Sequence, residues 1–218
     1  MRRAVWHLKK ADPILRGIIA RVGPCRMQFG EPTFHSLAKA IVYQQLHGKA
    51  AETIFKRLTT MAGDPLKAEG ILKLSAEQMR SPGLSKQKSS YLMDMAARVV
   101  RGELDFSGLA EMTDEEVITQ LTQVKGVGVW TAHMFLMFTL QRPNILPTGD
   151  FGVRMAMYKH YLARPARPKS GIKGADKNTK IALPNPEQMQ IIAKAWEPYR
   201  SVACWYLWRS LELKTAPR

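Results

Sequence analysis

Cysteine is nearly missing from this chain of 218 residues: only Cys25 and Cys204 occur. Two thiols are too few for a disulfide framework or for a cysteine-ligated iron–sulfur cluster. The expected setting is an intracellular, reducing compartment: cytoplasm or nucleoid in a prokaryote, nucleus in a eukaryote. Five histidines (His7, His35, His47, His133 and His160) include no pair at a metal-ligand spacing such as HExxH, so neither a catalytic transition metal nor any other cofactor for catalysis is expected. Long apolar runs are missing too. None approaches the roughly 20 residues that cross a bilayer, and the basic start "MRRAVWHLKK" has no following apolar core or small-residue cleavage site, so no signal peptide is expected. Alternating polar and apolar runs and internal repeats are lacking, which removes the usual signals of a sheet. Acidic residues are scarce: 18 Asp and Glu stand against 33 Lys and Arg, for a net charge of +15 and a pI near 10.0. That imbalance points to a polyanion, either nucleic acid or an anionic membrane surface, unless the chain is simply a basic soluble protein. A membrane surface is disfavoured because the basic residues are spread over many segments and form no single amphipathic face.

What the chain has is helix signals, almost throughout, and the class expected is all-α. Asp12 followed by Pro13 is a helix N-cap with proline at the first helical position, opening "ILRGIIARV". "FHSLAKAIVYQQL" and "KAAETIFKRLTTM" carry helical apolar spacing and break near His47-Gly48. Ser75 with Gln78, and Thr113 with Glu116, have the spacing of capping boxes. "WTAHMFLMFTL" is apolar nearly all round and predicts a buried central helix. Asn185-Pro186 caps "EQMQIIAKAW", and "RSVACWYLWRSLEL" closes the fold. The segment 163–184, rich in proline, glycine and lysine, predicts a basic surface loop. It is either an inert insertion or an auxiliary phosphate contact.

The segment "LTQVKGVGVWTA", Leu121 to Ala132, sets two glycines two apart between helical stretches. The spacing predicts a helix–hairpin–helix turned at 122–129, with Trp130 in the first turn of the second helix. Gly126 and Gly128 permit backbone conformations that a side chain opposes, and they leave the amides of the turn bare at a helix N-terminus. Such a nest binds an anion, and in a basic protein a DNA phosphate fits, with Lys125 adding charge. The contact reads no base and positions the protein on any duplex. The bland alternative is a tight helical hairpin that serves packing only. Twenty residues after Trp130, the loop "QRPNILPTGD" ends at Asp150. That aspartate is well placed to cap the helix "FGVRMAMYKHY".

The hairpin, the loop ending in an aspartate, and the stretches "AKAIVYQQLHGKAAETIFKRL", "GLSKQKSSYLMDMA" and "EPYRSVACWYLWR" together resemble the helix–hairpin–helix DNA glycosylases, most closely the 3-methyladenine DNA glycosylase II (alkylpurine glycosylase) family. The resemblance implies an N-glycosyl hydrolase acting on double-stranded DNA in base-excision repair of alkylation damage, with 3-methyladenine and 7-methylguanine as substrates. It implies a two-lobed helical domain over 1–218, with one lobe at 33–141, the other at 1–32 plus 142–218, and a cleft holding Asp150 and Trp130. The N-terminal β domain of larger members is expected to be absent, and the chain is expected to be a monomer.

The resemblance also assigns roles. Asp150 is the carboxylate at the sugar, stabilising oxocarbenium character and orienting or deprotonating water. An N3- or N7-alkylated purine is already cationic and leaves without a general acid, and an electron-rich aromatic wall suits it. Trp130 and Trp208 match pocket aromatics, each with core packing as the alternative, while Met134 replaces an aromatic found in some relatives. Where lyase-active relatives carry a lysine, this chain has Trp130, which implies a monofunctional enzyme with no Schiff base. Leu46 matches the wedge that fills the gap left by a flipped base, flanked by Gln45 and His47; the alternative is a core leucine. The backbone carbonyls of Thr122, Val124 and Val127 match those that hold a Na+ or K+ ion. The rival from another class is a non-catalytic protein that binds damaged DNA with the same fold.

Overall fold

The computed structural model describes residues 1–163 and 182–213. The expected basic loop at 163–184 therefore lies almost wholly outside the described residues. Among those residues there is no strand, and twelve α-helices follow in chain order. They are α1 (Arg2–Ala11), α2 (Pro13–Val22), α3 (Phe34–Tyr43), α4 (Gly48–Ala62), α5 (Ala68–Leu72), α6 (Ala76–Arg80), α7 (Lys86–Val100), α8 (Asp114–Thr122), α9 (Val129–Phe138), α10 (Phe151–Met157), α11 (Pro186–Ala193) and α12 (Arg200–Glu212). A π-helical turn, Tyr158–Leu162, extends α10. The chain divides into two compact units, Gln28–Arg142 and Met1–Met27 with Pro143–Arg218.

In the unit Gln28–Arg142, α3 starts at Thr33, whose hydroxyl accepts the Ser36 amide. Leu37, Ala38, Ile41 and Val42 then recur on one helical face, and all are fully buried. Helix α7 packs against both α3 and α5 and contributes Leu92, Met95 and Ala96 to the same core. Each buried Leu or Ile contributes about 1.5–3 kcal/mol by leaving water. The two capping boxes are formed as their spacing predicts, at α6 and α8. Helix α9 is buried over Thr131, Ala132 and Phe135 to Met137, whereas its first turn, Val129 and Trp130, is exposed. The apolar character read along its whole length thus describes only its later turns. Helix α3 ends at Tyr43, three residues short of the expected Leu46. There the chain leaves the helix, with Gln44 at ψ 131° and Gln45 in the left-handed region at φ 55°.

The unit formed by the two ends of the chain is organised around α2, α10 and α12, with α1 packed on α2. Its core includes Leu8, Leu15, Ile18, Val153, Met157, Trp196 and Tyr206. Asp12 caps α2 as expected: its Oδ1 accepts the amides of Ile14 and Leu15 at 2.8 and 3.0 Å. Its Oδ2 accepts the Tyr161 hydroxyl at 2.7 Å and the Trp196 indole N–H at 2.8 Å. One carboxylate therefore ties together segments up to 184 residues apart in sequence. Burial, with the Asp12 bond and charge adding to it, holds the Tyr161 hydroxyl well above the ordinary tyrosine range.

Candidate active site and DNA interface

The hairpin between α8 and α9 is anchored by Val124 and Val127, both buried, with Lys125, Gly126 and Gly128 on the surface. The two glycines differ in what they do. Gly126 has φ +78°, and a Cβ there would lie 2.1 Å from the Tyr91 ring. Gly128 has φ −95° and ψ 174°, which any residue adopts, and open space where a Cβ would point. The expectation that both turn positions oppose a side chain through the backbone therefore holds for Gly126 and fails for Gly128. Gly128 is the N-cap of α9 and supplies no side-chain cap, so nothing of its own covers the first amides of that helix. Gly126→Ala is accordingly expected to cost about 2–4 kcal/mol, from left-handed strain plus the collision with Tyr91. Gly128→Ala is expected to stay within about 1 kcal/mol of wild type. Denaturant unfolding of the two variants checks this asymmetry.

A second correction concerns the bare amides. The Lys125 N–H is not open to a phosphate: it donates to Asp94 Oδ2 at 3.0 Å, where the Arg98 Nε–H also donates at 3.1 Å. The Lys125 ammonium lies 3.8 Å from Asp94 Oδ1, so part of its field is neutralised locally. Asp94 on α7 thus fastens the turn from the neighbouring helix. Burial alone would raise its pKa. The Lys125 amide bond and the bond and charge of Arg98 outweigh that and hold it below the ordinary aspartate value. A depressed carboxylate pKa stabilises the fold above the unfolded-state value, near 3.9, and that stabilisation is lost as pH falls through the lower folded-state value. Asp94→Asn is therefore expected to lower Tm between about pH 5 and 8, and the difference from wild type is expected to shrink steadily below about pH 4. Thermal melts of both proteins across pH check the sign.

Beside the hairpin, an open groove of about 950 Å³ is lined by Gln45, Leu46, Trp130 and Met134 among others, with Tyr91 and Lys88 on its α7 side. Five of the residues singled out in the sequence, Gly126 included, therefore share one groove within a single unit. Leu46 is 40% exposed and Trp130 46% exposed, so neither is an ordinary core side chain. His47 is also exposed and serves as the N-cap position of α4 without a side-chain cap bond. Gln44 and Lys88, both in this wall, were not singled out from sequence. The Gln44 side-chain amide donates to the Gly126 carbonyl at 3.0 Å and meets the Thr131 hydroxyl at 3.3 Å. The Lys88 ammonium donates to the carbonyls of Val42 and Gln44 at 2.7 and 2.6 Å. Lys88 lies inside the quoted stretch "GLSKQKSSYL", but nothing in its spacing marks it. Of the three carbonyls considered for a cation, that of Val124 already accepts the Val127 N–H at 3.0 Å.

Asp150 belongs to the other unit. It is the N-cap of α10, and its Oδ1 accepts the Val153 amide at 2.7 Å. The same oxygen accepts the indole N–H of Trp208, from α12, at 2.8 Å. The carboxylate is 8% exposed. Capping, weighed in the sequence as the alternative to chemistry, is thus real, and it fixes the carboxylate's orientation. Trp208, expected as a pocket aromatic with core packing as the alternative, is half-buried and commits its polar edge to Asp150. Its neighbour Trp205 is a buried core ring set edge-on to Tyr206. The approach of Trp208 depends on Gly152, which sequence reasoning missed: a Cβ there would sit 2.8 Å from Trp208 Cδ1 and 3.2 Å from Asp150 Oδ1. The only sequence signal was a glycine early in a helix, where alanine has the better propensity. The buried Cys204 thiol is pushed up well above its ordinary pKa by desolvation, with the Asp150 charge adding to it.

Comparison with known proteins matches residues 11–177 to the family model for HhH-GPD superfamily base excision DNA repair proteins. Schizosaccharomyces pombe DNA-3-methyladenine glycosylase 1 is 31% identical over 98% of this chain and 89% of its own length. A Bacillus subtilis protein described as a putative DNA-3-methyladenine glycosylase is 32% identical over 82% of this chain, which spans 59% of that protein. The solved structure of the Schizosaccharomyces pombe 3-methyladenine DNA glycosylase in complex with abasic DNA superimposes with a TM-score of 0.77 at 29% identity, covering 97% of each chain. No helix among the described residues is long and apolar enough to cross a membrane. With its hairpin, its capping aspartate and these relatives, the chain belongs to the HhH-GPD superfamily of base excision DNA repair proteins, within the DNA-3-methyladenine glycosylases.

Proposed function

We propose that the protein is a monofunctional glycosylase that excises alkylated purines, 3-methyladenine and 7-methylguanine, from double-stranded DNA by base flipping. The observation that carries this reading is Asp150. A nearly buried carboxylate, oriented through one oxygen by a helix amide and an indole N–H, is suited to face a developing positive charge.

In the proposed reaction the bond from the sugar C1′ to the purine nitrogen breaks, and its electron pair leaves with the base. Because the alkylated base starts as a cation, it departs neutral and needs no proton from the protein. The sugar acquires oxocarbenium character, which the Asp150 carboxylate stabilises. A water adds to C1′ and gives up its proton, with Asp150 as the accepting or orienting group. The product is an intact abasic strand. Trp130, exposed in the groove, offers the π face that a cationic base favours. Leu46 is assigned to the space vacated by the flipped nucleotide, with Gln45 and His47 toward the minor groove. The hairpin is assigned to the phosphate backbone, and the carbonyls of Thr122, Val124 and Val127 remain the candidate seat of a monovalent cation there. The protein is proposed to act as a monomer.

The test is incubation with methylated duplex DNA and measurement of free base. Release of 3-methyladenine and 7-methylguanine, with no protein–DNA adduct trapped by borohydride, is expected. An adduct would make the enzyme a lyase. Damage-selective binding without base release would make it a damage-binding protein that performs no chemistry.

A further inference from the structure

The turn that carries Leu46 is held in an unusual conformation. After Tyr43 the regular helical ladder stops: the Ile41 and Tyr43 carbonyls accept only the long turn amides of Gln44 and Leu46, each at 3.3 Å, and Gln45 sits at φ 55°, where a residue with a side chain is uncommon. Such a conformation persists only where its surroundings over-determine it. Two contacts do so. The Lys88 ammonium reaches across from the start of α7 to the carbonyls of Val42 and Gln44 at 2.7 and 2.6 Å, a cation at the negative end of the α3 dipole. The Gln44 side chain then reaches the Gly126 carbonyl and the Thr131 hydroxyl, joining the same turn to the hairpin. Lys88 is half-buried in the groove wall, and burial depresses its ammonium pKa, yet its bonds go to backbone carbonyls rather than outward.

The geometry points to Lys88 as a positioning residue for base extrusion: its ammonium clamps the end of α3 so that Leu46 projects from the groove, and Gln44 keeps that projection in register with the hairpin. The inference rests on the glycosylase reading and on Leu46 as the wedge.

The experiment compares Lys88→Met, Lys88→Arg and Leu46→Ala. Each is measured for its melting temperature, for excision from a fully paired lesion duplex and from a lesion opposite an abasic gap, and for fluorescence of a 2-aminopurine beside the lesion, which reports unstacking. Lys88→Met is expected to lose roughly 10- to 100-fold on the paired duplex, the range for removing charge-assisted hydrogen bonds. It is expected to lose much less on the gapped one, with the 2-aminopurine signal reduced as in Leu46→Ala and partly restored in Lys88→Arg. If Leu46→Ala leaves extrusion untouched, the wedge assignment fails. If Leu46→Ala impairs extrusion and Lys88→Met does not, the Lys88 proposal alone fails. An equal loss on both substrates with a salt dependence of binding shallower by about one unit makes Lys88 a phosphate contact instead and overturns the proposal. Should Lys88→Met not fold, Lys88→Gln, which keeps a donor but neither the charge nor the reach for both carbonyls, is read in its place. Wild-type extrusion by that variant overturns the proposal too.

Discussion

Asp150→Asn is expected to fold as the wild type does and to release methylated bases roughly 10³-fold more slowly or worse. The substitution separates the two roles that one side chain holds. An asparagine Oδ1 caps a helix about as well as a carboxylate does. It can still accept the Val153 amide and the Trp208 indole N–H, both of which converge on one oxygen. The other carboxylate oxygen becomes an amide nitrogen and the negative charge is lost with it, and that charge is what stabilises an oxocarbenium-like sugar and takes a proton from water. Asp150→Ala removes the cap as well and strands the Trp208 donor. It is expected to lose about 2–4 kcal/mol of stability in addition to activity. The measurements are base release under single-turnover conditions and the unfolding free energy of both variants. If Asp150→Asn releases base within a few-fold of wild type, Asp150 is a helix cap and the chemistry lies elsewhere.

Asp12→Ala is expected to have the largest effect on stability, about 3–5 kcal/mol, because it leaves several buried neutral donors without an acceptor. Four donors converge on this 7%-exposed carboxylate: two amides of α2, the Tyr161 hydroxyl and the Trp196 indole N–H. Loss of the cap accounts for about 1 kcal/mol. The Trp196 and Tyr161 donors, left inside the core, account for most of the rest. For a chain of this length the expected fall in Tm is on the order of 10 °C. Asp12→Asn keeps the α2 cap but presents an amide nitrogen where an acceptor is needed, and is expected to recover part of the loss. Equal stability of Asp12→Ala and wild type in thermal and denaturant unfolding would show that the converging bonds contribute little net energy. Neither variant is expected to change the base released per folded molecule if the altered region refolds around the substitution.

The site was partly visible in the sequence, and the division follows range. Leu46, Trp130 and Met134 were identified from motif position, and they do share a groove. The same resemblance, through two separate stretches, singled out Asp150 and Trp208, but the bond between them joins residues 58 apart and leaves no periodic trace. Gly128 misled because glycine has two uses, conformational freedom and the absence of a side chain. A sequence does not distinguish them, and here only Gly126 needs the first. The turn amide of Lys125 was read as bare because the carboxylate that occupies it, Asp94, comes from 31 residues earlier.

By itself, then, the sequence determined the helical class, the capping boxes at Ser75 and Thr113, the α2 cap at Asp12, the hairpin, and the basic character that calls for a polyanion. These are set by forces acting within about one helical turn or by composition, and both can be read along the chain. Only the tertiary structure decided that Asp12 holds Tyr161 and Trp196, that Trp208 points its polar edge at Asp150, and that Lys88 closes the end of α3. Each of these is a hydrogen bond between residues brought together by burial of apolar faces elsewhere. Such a bond is short in space and strongly directional, so it exists only once packing has fixed both partners to within a few tenths of an ångström.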